Sequence, residues 1–212
     1  MIQFSRSKII LSLTGKTCSG KNYLLTKLLE TGLFSKLVTT TTREPRETEV
    51  RDEDYYFVDF STAESYIYDE RFFEYTLFKN QIYGITTQEI SSKLSLPTIP
   101  CVILTPDGVS TYRSALRAKN IRLVSVFVDV DDDTIFDRLA KRTLQEVSGS
   151  ETEAIARQKM KVAFERVVSI QSVEVSWKSI ENWDYVLRPD ADGNLDLSFV
   201  EELKSSLNLQ KS

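Results

Sequence analysis

The sequence predicts an α/β fold, a parallel sheet flanked by helices, on three observations. Apolar, β-branched runs of strand length recur along the chain, helical spacings alternate with them, and a glycine-bracketed loop joins the first run to the first helix. The 212 residues, 41% of them hydrophobic, suit one compact domain, or a core with one or two small subdomains inserted.

Residues 8–13 read as a buried parallel strand, because the run is apolar and β-branched without strict alternation. Leu24, Leu25, Leu28 and Leu29 then mark one face of a helix over residues 23–30, with Gly32 as its stop. Residues 37–92 differ in texture. A Thr/Arg-rich segment leads to aromatic strands at 55–60 and 72–78, with a hairpin turn at Lys79-Asn80-Gln81, so this stretch reads as a small mixed insertion. The alternation resumes with a strand at 101–104, a helix at 109–118 and a strand at 123–130. Asp131, Asp132 and Asp133 offer an N-cap to a helix running through Leu139. A charged stretch at 141–151 leads into a long helical pattern ending near Ile180. A last strand at 185–187 and an amphipathic helix at 196–207 close the chain.

Composition removes several kinds of chemistry. The chain has no histidine, which excludes Ser-His-Asp and Cys-His relays and His-ligated metals. With 27 basic and 31 acidic side chains, its net charge of −4 gives no footprint for duplex nucleic acid. The two cysteines, Cys18 and Cys101, form no CxxC and at most one bridge, a cytosolic usage. No apolar run reaches the roughly 18 residues of a membrane span, and the run at 9–13 is too short for a signal peptide. The expectation is a soluble cytoplasmic protein with neither nucleic acid nor membrane as a partner.

Gly15-Lys16-Thr17-Cys18-Ser19-Gly20-Lys21 fits G-x-x-x-x-G-K between a strand and a helix. Successive N–H groups and a helix N-terminus make an anion-binding nest there, and Lys21 reaches the terminal phosphates of a nucleotide. Asn22 follows where the motif has a hydroxyl for Mg²⁺, and an amide oxygen is a workable substitute. Downstream, Thr39-Thr40-Thr41-Thr42-Arg43-Glu44-Pro45-Arg46 sets two guanidinium forks three residues apart, a geometry matched to phosphate oxygens. Taken alone, the arginines also fit a solvated face, and the nearby tyrosines fit half-buried strand positions.

Together and in order, Thr39 to Glu49, Asp54 to Val58, Phe72-Phe73-Glu74 and Ile82-Tyr83-Gly84-Ile85-Thr86 resemble the substrate region of the guanylate kinase family. The resemblance extends from the phosphate loop to about residue 188. It implies a P-loop kinase core at 1–36, 93–137 and 161–212, a monophosphate-binding insertion at 37–92 and a lid at 138–160. It further implies phosphoryl transfer from ATP, with Mg²⁺, to GMP or dGMP. Arg43, Arg46, Tyr55 and Tyr83 would hold the acceptor phosphate. Glu74, assisted by Thr39, would accept the guanine N1 and N2 hydrogens. Residues 15–22 would hold ATP, with Lys21 acting on its phosphates. Arg138 and Arg142 match the family's R-L-x-x-R and would close over the donor, joined by Arg157, with Lys159 as rival.

Five positions depart from the family pattern. Cys18 and Thr48 replace glycines, Asn22 replaces Ser or Thr, and Ile85 replaces a hydroxyl that Thr86 adjoins. Thr105 stands where the family has an acidic side chain near the acceptor nucleoside. Two rivals follow: a kinase for another or modified monophosphate, and a non-catalytic binding module of the same fold. The working unit is expected to be a monomer or homodimer.

Overall fold

β1 (Ile9–Thr14) is buried at all six positions, as a strand covered on both faces must be. In this computed structural model the described residues are 8–46, 49–78, 80–190 and 193–206. α1 (Lys21–Glu30) follows the glycine-bracketed loop and buries Leu24, Leu25 and Leu28. Gly32, with φ +70°, ends it as expected, since that conformation costs glycine nothing.

One sheet has five strands in the order β2 (Phe34–Lys36), β7 (Ile99–Ile103), β1, β8 (Arg122–Val128), β9 (Tyr185–Leu187). β2 pairs with β7 and β8 with β9, both in parallel. Parallel neighbours need crossovers, and helices provide them. Thr105 N-caps α4 (Pro106–Arg117), and Asp131 N-caps α5 (Asp132–Ser148) by accepting the Thr134 N–H. Asp184 accepts both the N–H and the hydroxyl of Ser125 at 2.8 Å, which ties the approach to β9 onto β8.

A second sheet has four strands in the order β4 (Tyr55–Phe57), β3 (Thr39–Thr41), β6 (Gln81–Thr86), β5 (Phe72–Phe78). α2 (Phe60–Tyr68) and α3 (Thr87–Leu94) belong to the same stretch of chain. Glu89 of α3, a buried carboxylate, accepts the Val38 N–H at 3.0 Å and the Tyr56 hydroxyl at 3.3 Å. That satisfies a charge which would otherwise be costly to bury. The chain divides into two compact units, residues 1–12 with 25–124, and residues 13–24 with 125–212.

Several elements differ from the sequence reading. The strand expected at 55–60 stops at Phe57, because Asp59 caps α2 by accepting the Thr62 N–H at 2.7 Å. Most of the charged stretch at 141–151 is helical, and only its last three residues connect α5 to α6. α5 runs to Ser148, its charges pairing at helical spacing as Arg142 and Glu146. The long pattern to Ile180 breaks into α6 (Glu153–Ser172), a 3-10 turn at Glu174–Ser176, and α7 (Trp177–Ile180). The strand at 72–78 is present, and the closing helix is α8 (Ser198–Ser206). Thr48, Lys79 of the hairpin turn and residue 207 lie outside the described residues. Asn80 of that turn has φ +58°, the conformation a two-residue hairpin connection requires.

Candidate functional site

In the unit holding residues 13–24 and 125–212, the phosphate loop curls between β1 and α1. A Cβ on Gly15 would lie 2.7 Å from the Val128 carbonyl and 2.7 Å from Ser19 Oγ, so only glycine fits. Gly20 has φ +97° and Cys18 φ +62°. Cys18 therefore takes, with a side chain, a left-handed conformation that only glycine adopts freely. Lys21 donates to the carbonyls of Gly15 and Lys16, both at 2.7 Å. Burial pushes its ammonium down to about 8, against the charge of Glu174. Lys16 pairs with Asp132 at 2.5 Å, and Thr17 is bound to Glu174. Asn22 sits in the first turn of α1.

Arg138 reaches back from α5 to the carbonyls of Cys18 and Ser19, at 3.3 and 3.4 Å. Arg142 bonds Glu146 at 2.7 Å, and Arg166 of α6 reaches the same carboxylate at 3.4 Å. The α5–α6 pair thus brings Arg142 and Arg166 together through Glu146. Arg157 instead stands 79% exposed, paired with Glu153 one turn back. Only the packing of α5 on α6 singles Arg166 out from the other basic residues of that helix.

In the unit holding residues 25–124, strand register decides which side chains meet. Thr39 lies opposite Tyr55, Thr41 opposite Tyr83, Thr76 opposite Tyr83, and Glu74 opposite Ile85. Since alternate residues share a face, Thr39, Tyr55, Tyr83 and Glu74 lie on one face of the second sheet. The Tyr55 and Tyr83 rings stand edge to face with centroids 6.3 Å apart, and the Arg43 guanidinium lies 5.3 Å from the Tyr55 ring. Glu49 grips Arg43 with both oxygens, at 2.8 and 2.9 Å, and also accepts from the Arg46 backbone N–H at 2.8 Å and its guanidinium at 3.4 Å. Burial opposes the charge on Arg43, but the bond and charge of Glu49, with Tyr83, hold its pKa above the usual value. All four residues expected at an acceptor phosphate are thereby collected.

Burial pushes the Glu74 carboxyl up to about 7, against a hydrogen bond from Tyr112 of α4, a residue only 2% exposed. Tyr112 in turn rises well above the ordinary phenol range through burial and the Glu74 charge. Motif reading did not identify Tyr112, whose position on α4 matters only once α4 lies against β5. Thr86 and Thr105 are both N-caps, accepting the N–H groups of Glu89 at 3.1 Å and Gly108 at 3.3 Å. Ile85 is fully buried. Cys18 and Cys101 are both free thiols. Among the described residues no group of three His, Cys, Asp or Glu could hold a metal, and no helix is long and apolar enough to cross a membrane.

A family model described as guanylate kinase matches residues 5–183. The guanylate kinase of Clostridium acetobutylicum is 28% identical over 180 residues, covering 84% of this chain and 82% of that one. The guanylate kinase of Clostridium tetani is 24% identical over 206 residues, covering 96% and 93%. Among solved structures, the guanylate kinase of Anaplasma phagocytophilum matches with a TM-score of 0.57 over 97% of this chain and 87% of that one. At 18% identity, that last likeness speaks for the fold alone. With its phosphate loop and its Arg/Tyr/Glu face both in place, the chain belongs to the guanylate kinase family.

Proposed function

We propose that this protein transfers the γ-phosphoryl group of ATP to GMP or dGMP, giving ADP and the nucleoside diphosphate. The observation that carries the acceptor is the second sheet. One face holds Thr39, Tyr55, Tyr83 and a half-buried carboxylate, Glu74, beside Arg43 and Arg46. Guanidinium forks and phenols suit a phosphate dianion. A carboxylate suits the paired N1–H and N2–H donors of guanine, which adenine lacks.

An acceptor phosphate oxygen attacks the γ-phosphorus in line as the bond to the β-phosphate oxygen breaks. Such transfer depends on positioning and charge neutralisation rather than on a strong base, so the absence of histidine is no obstacle. Lys21 leaves its loop carbonyls for the donor phosphates, and the loop N–H groups of residues 15–22 hold them. Arg43 steadies the acceptor side. Arg138 and Arg142 act on the donor side, and the shared Glu146 contact favours Arg166 over Arg157 as their companion. Closure of residues 37–92 and 138–160 over the substrates would exclude water. Mg²⁺, when bound, neutralises donor phosphate charge. The donor set fits an ion arriving with its nucleotide, because Asn22 offers one amide oxygen and the described residues form no cage. Two free thiols suit a reducing, cytosolic compartment, and a monomer or homodimer is part of the same proposal.

The test is ADP formation from ATP and Mg²⁺ across GMP, dGMP, AMP, CMP, UMP and dTMP, with Lys21→Ala as control. Turnover of the guanine nucleotides alone, lost in the control, is expected. Turnover of a different monophosphate would keep the reaction and overturn the acceptor.

A further inference from the structure

Glu174 opens the 3-10 turn after α6 and is only 4% exposed. A carboxylate so far from water destabilises the fold unless its lone pairs are met. They are met by the phosphate loop and by α6. Thr17 donates its backbone N–H to one oxygen and its hydroxyl to the other, the latter at 2.9 Å. Ser169 adds a third bond at 2.9 Å. Thr17 and Glu174 are 157 residues apart in the chain, so the contact is wholly tertiary.

The start of the loop is thereby held at two places. Lys21 binds the carbonyls of residues 15 and 16, and Glu174 binds the N–H and hydroxyl of residue 17. Lys21 must release its carbonyls to meet a nucleotide. Glu174 has no such duty, because its partners are a loop residue and a helix residue, and it can hold the curl while Lys21 moves.

We propose that Glu174 is a positioning residue for ATP: by gripping Thr17 it keeps the first turn of the phosphate loop in the curl that aims the following N–H groups and Lys21 at the donor phosphates. The proposal rests on the reading of this loop as the ATP site. Glu174 touches no reacting atom. Its effect should fall on donor binding and leave acceptor binding alone.

Glu174→Gln keeps the shape but leaves one accepting oxygen for three donors. Losing charge-assisted bonds of this kind should raise the KM for ATP by about tenfold or more. The KM for GMP should stay within about twofold. Thr17→Val keeps the N–H and removes the hydroxyl, and Glu174→Gln added to it should cost less than it does alone. Ser169→Ala, a milder change outside the loop, should raise the ATP KM about two- to threefold and serves if Glu174→Gln does not fold. An unchanged ATP KM in Glu174→Gln, or in Ser169→Ala where that variant stands in, overturns the proposal even if thermal stability falls. Direct titration with a non-hydrolysable ATP analogue separates the two readings. Binding to the wild type with equal binding to Glu174→Gln defeats the positioning role alone, whereas no binding to the wild type defeats the ATP site itself.

Discussion

Glu74 combines half-burial with a task that needs its charge. Only the carboxylate can accept from both guanine donors, and its pKa of about 7 means that the proton returns just below neutrality. The KM for GMP should therefore rise as pH falls from 7.5 to 6, with the KM for ATP steady. Tyr112 favours the ionised form, so Tyr112→Phe should move that limb to higher pH. Stability carries the opposite sign. The folded carboxyl keeps its proton up to about 7, whereas the unfolded one releases it near 4.5. Wild type should lose thermal stability relative to Glu74→Gln as pH rises through that window. Cys18 holds φ +62° without being glycine, and relief of that strain should make Cys18→Gly more stable by about 0.5–1 kcal/mol, or a few degrees in Tm. Of these residues, Glu74 was legible from F-F-E followed by Y-G. Tyr112 was not, because it is a core residue by pattern and its hydroxyl has meaning only against β5.

The α5–α6 pair shows where local reading stops. The sequence reading ends the helix at Leu139 and leaves the charged stretch 141–151 unassigned, yet α5 continues through Ser148, with Arg142 and Glu146 paired one turn apart. Arg166, only 16% exposed in its side chain, meets that same Glu146, whereas Arg157 is spent on a surface pair that contributes little. Steady-state kinetics should separate them. Arg142→Ala and Arg166→Ala should lower kcat by about 10²–10³, the usual loss for a donor aimed at developing charge, and Arg157→Ala should stay within about twofold. Equal losses in all three would restore Arg157 to the donor side. The second sheet makes the same point with strands. β3 is three threonines with no apolar signal, and what defines it is its pairing with β4 and β6.

At the scale of the whole molecule, no described cluster of three His, Cys, Asp or Glu is available to a metal. The cation should then enter with the nucleotide. EDTA should abolish turnover, and excess Mg²⁺ should restore it. The Tm of the nucleotide-free protein should not move, since a metal that stabilises the native state does so only where it binds. A drop in that Tm on chelation would reveal a resident ion.

The sequence by itself determined the α/β class, the phosphate loop and the ordered Arg, Tyr and Glu motifs. Each of these is a local matter: a run of β-branched residues, two glycines at fixed spacing, or a carboxylate in a strand. Tertiary structure alone decided what those residues touch. It set Glu174 beneath Thr17, Tyr112 against Glu74, Arg166 beside Arg142, and Glu49 between two arginines. Three of these four contacts join residues far apart in the chain, and even the Glu49 contact depends on how a loop folds back. A buried charge or phenol must find its partner in space, and periodicity along a sequence carries no record of which partner that is.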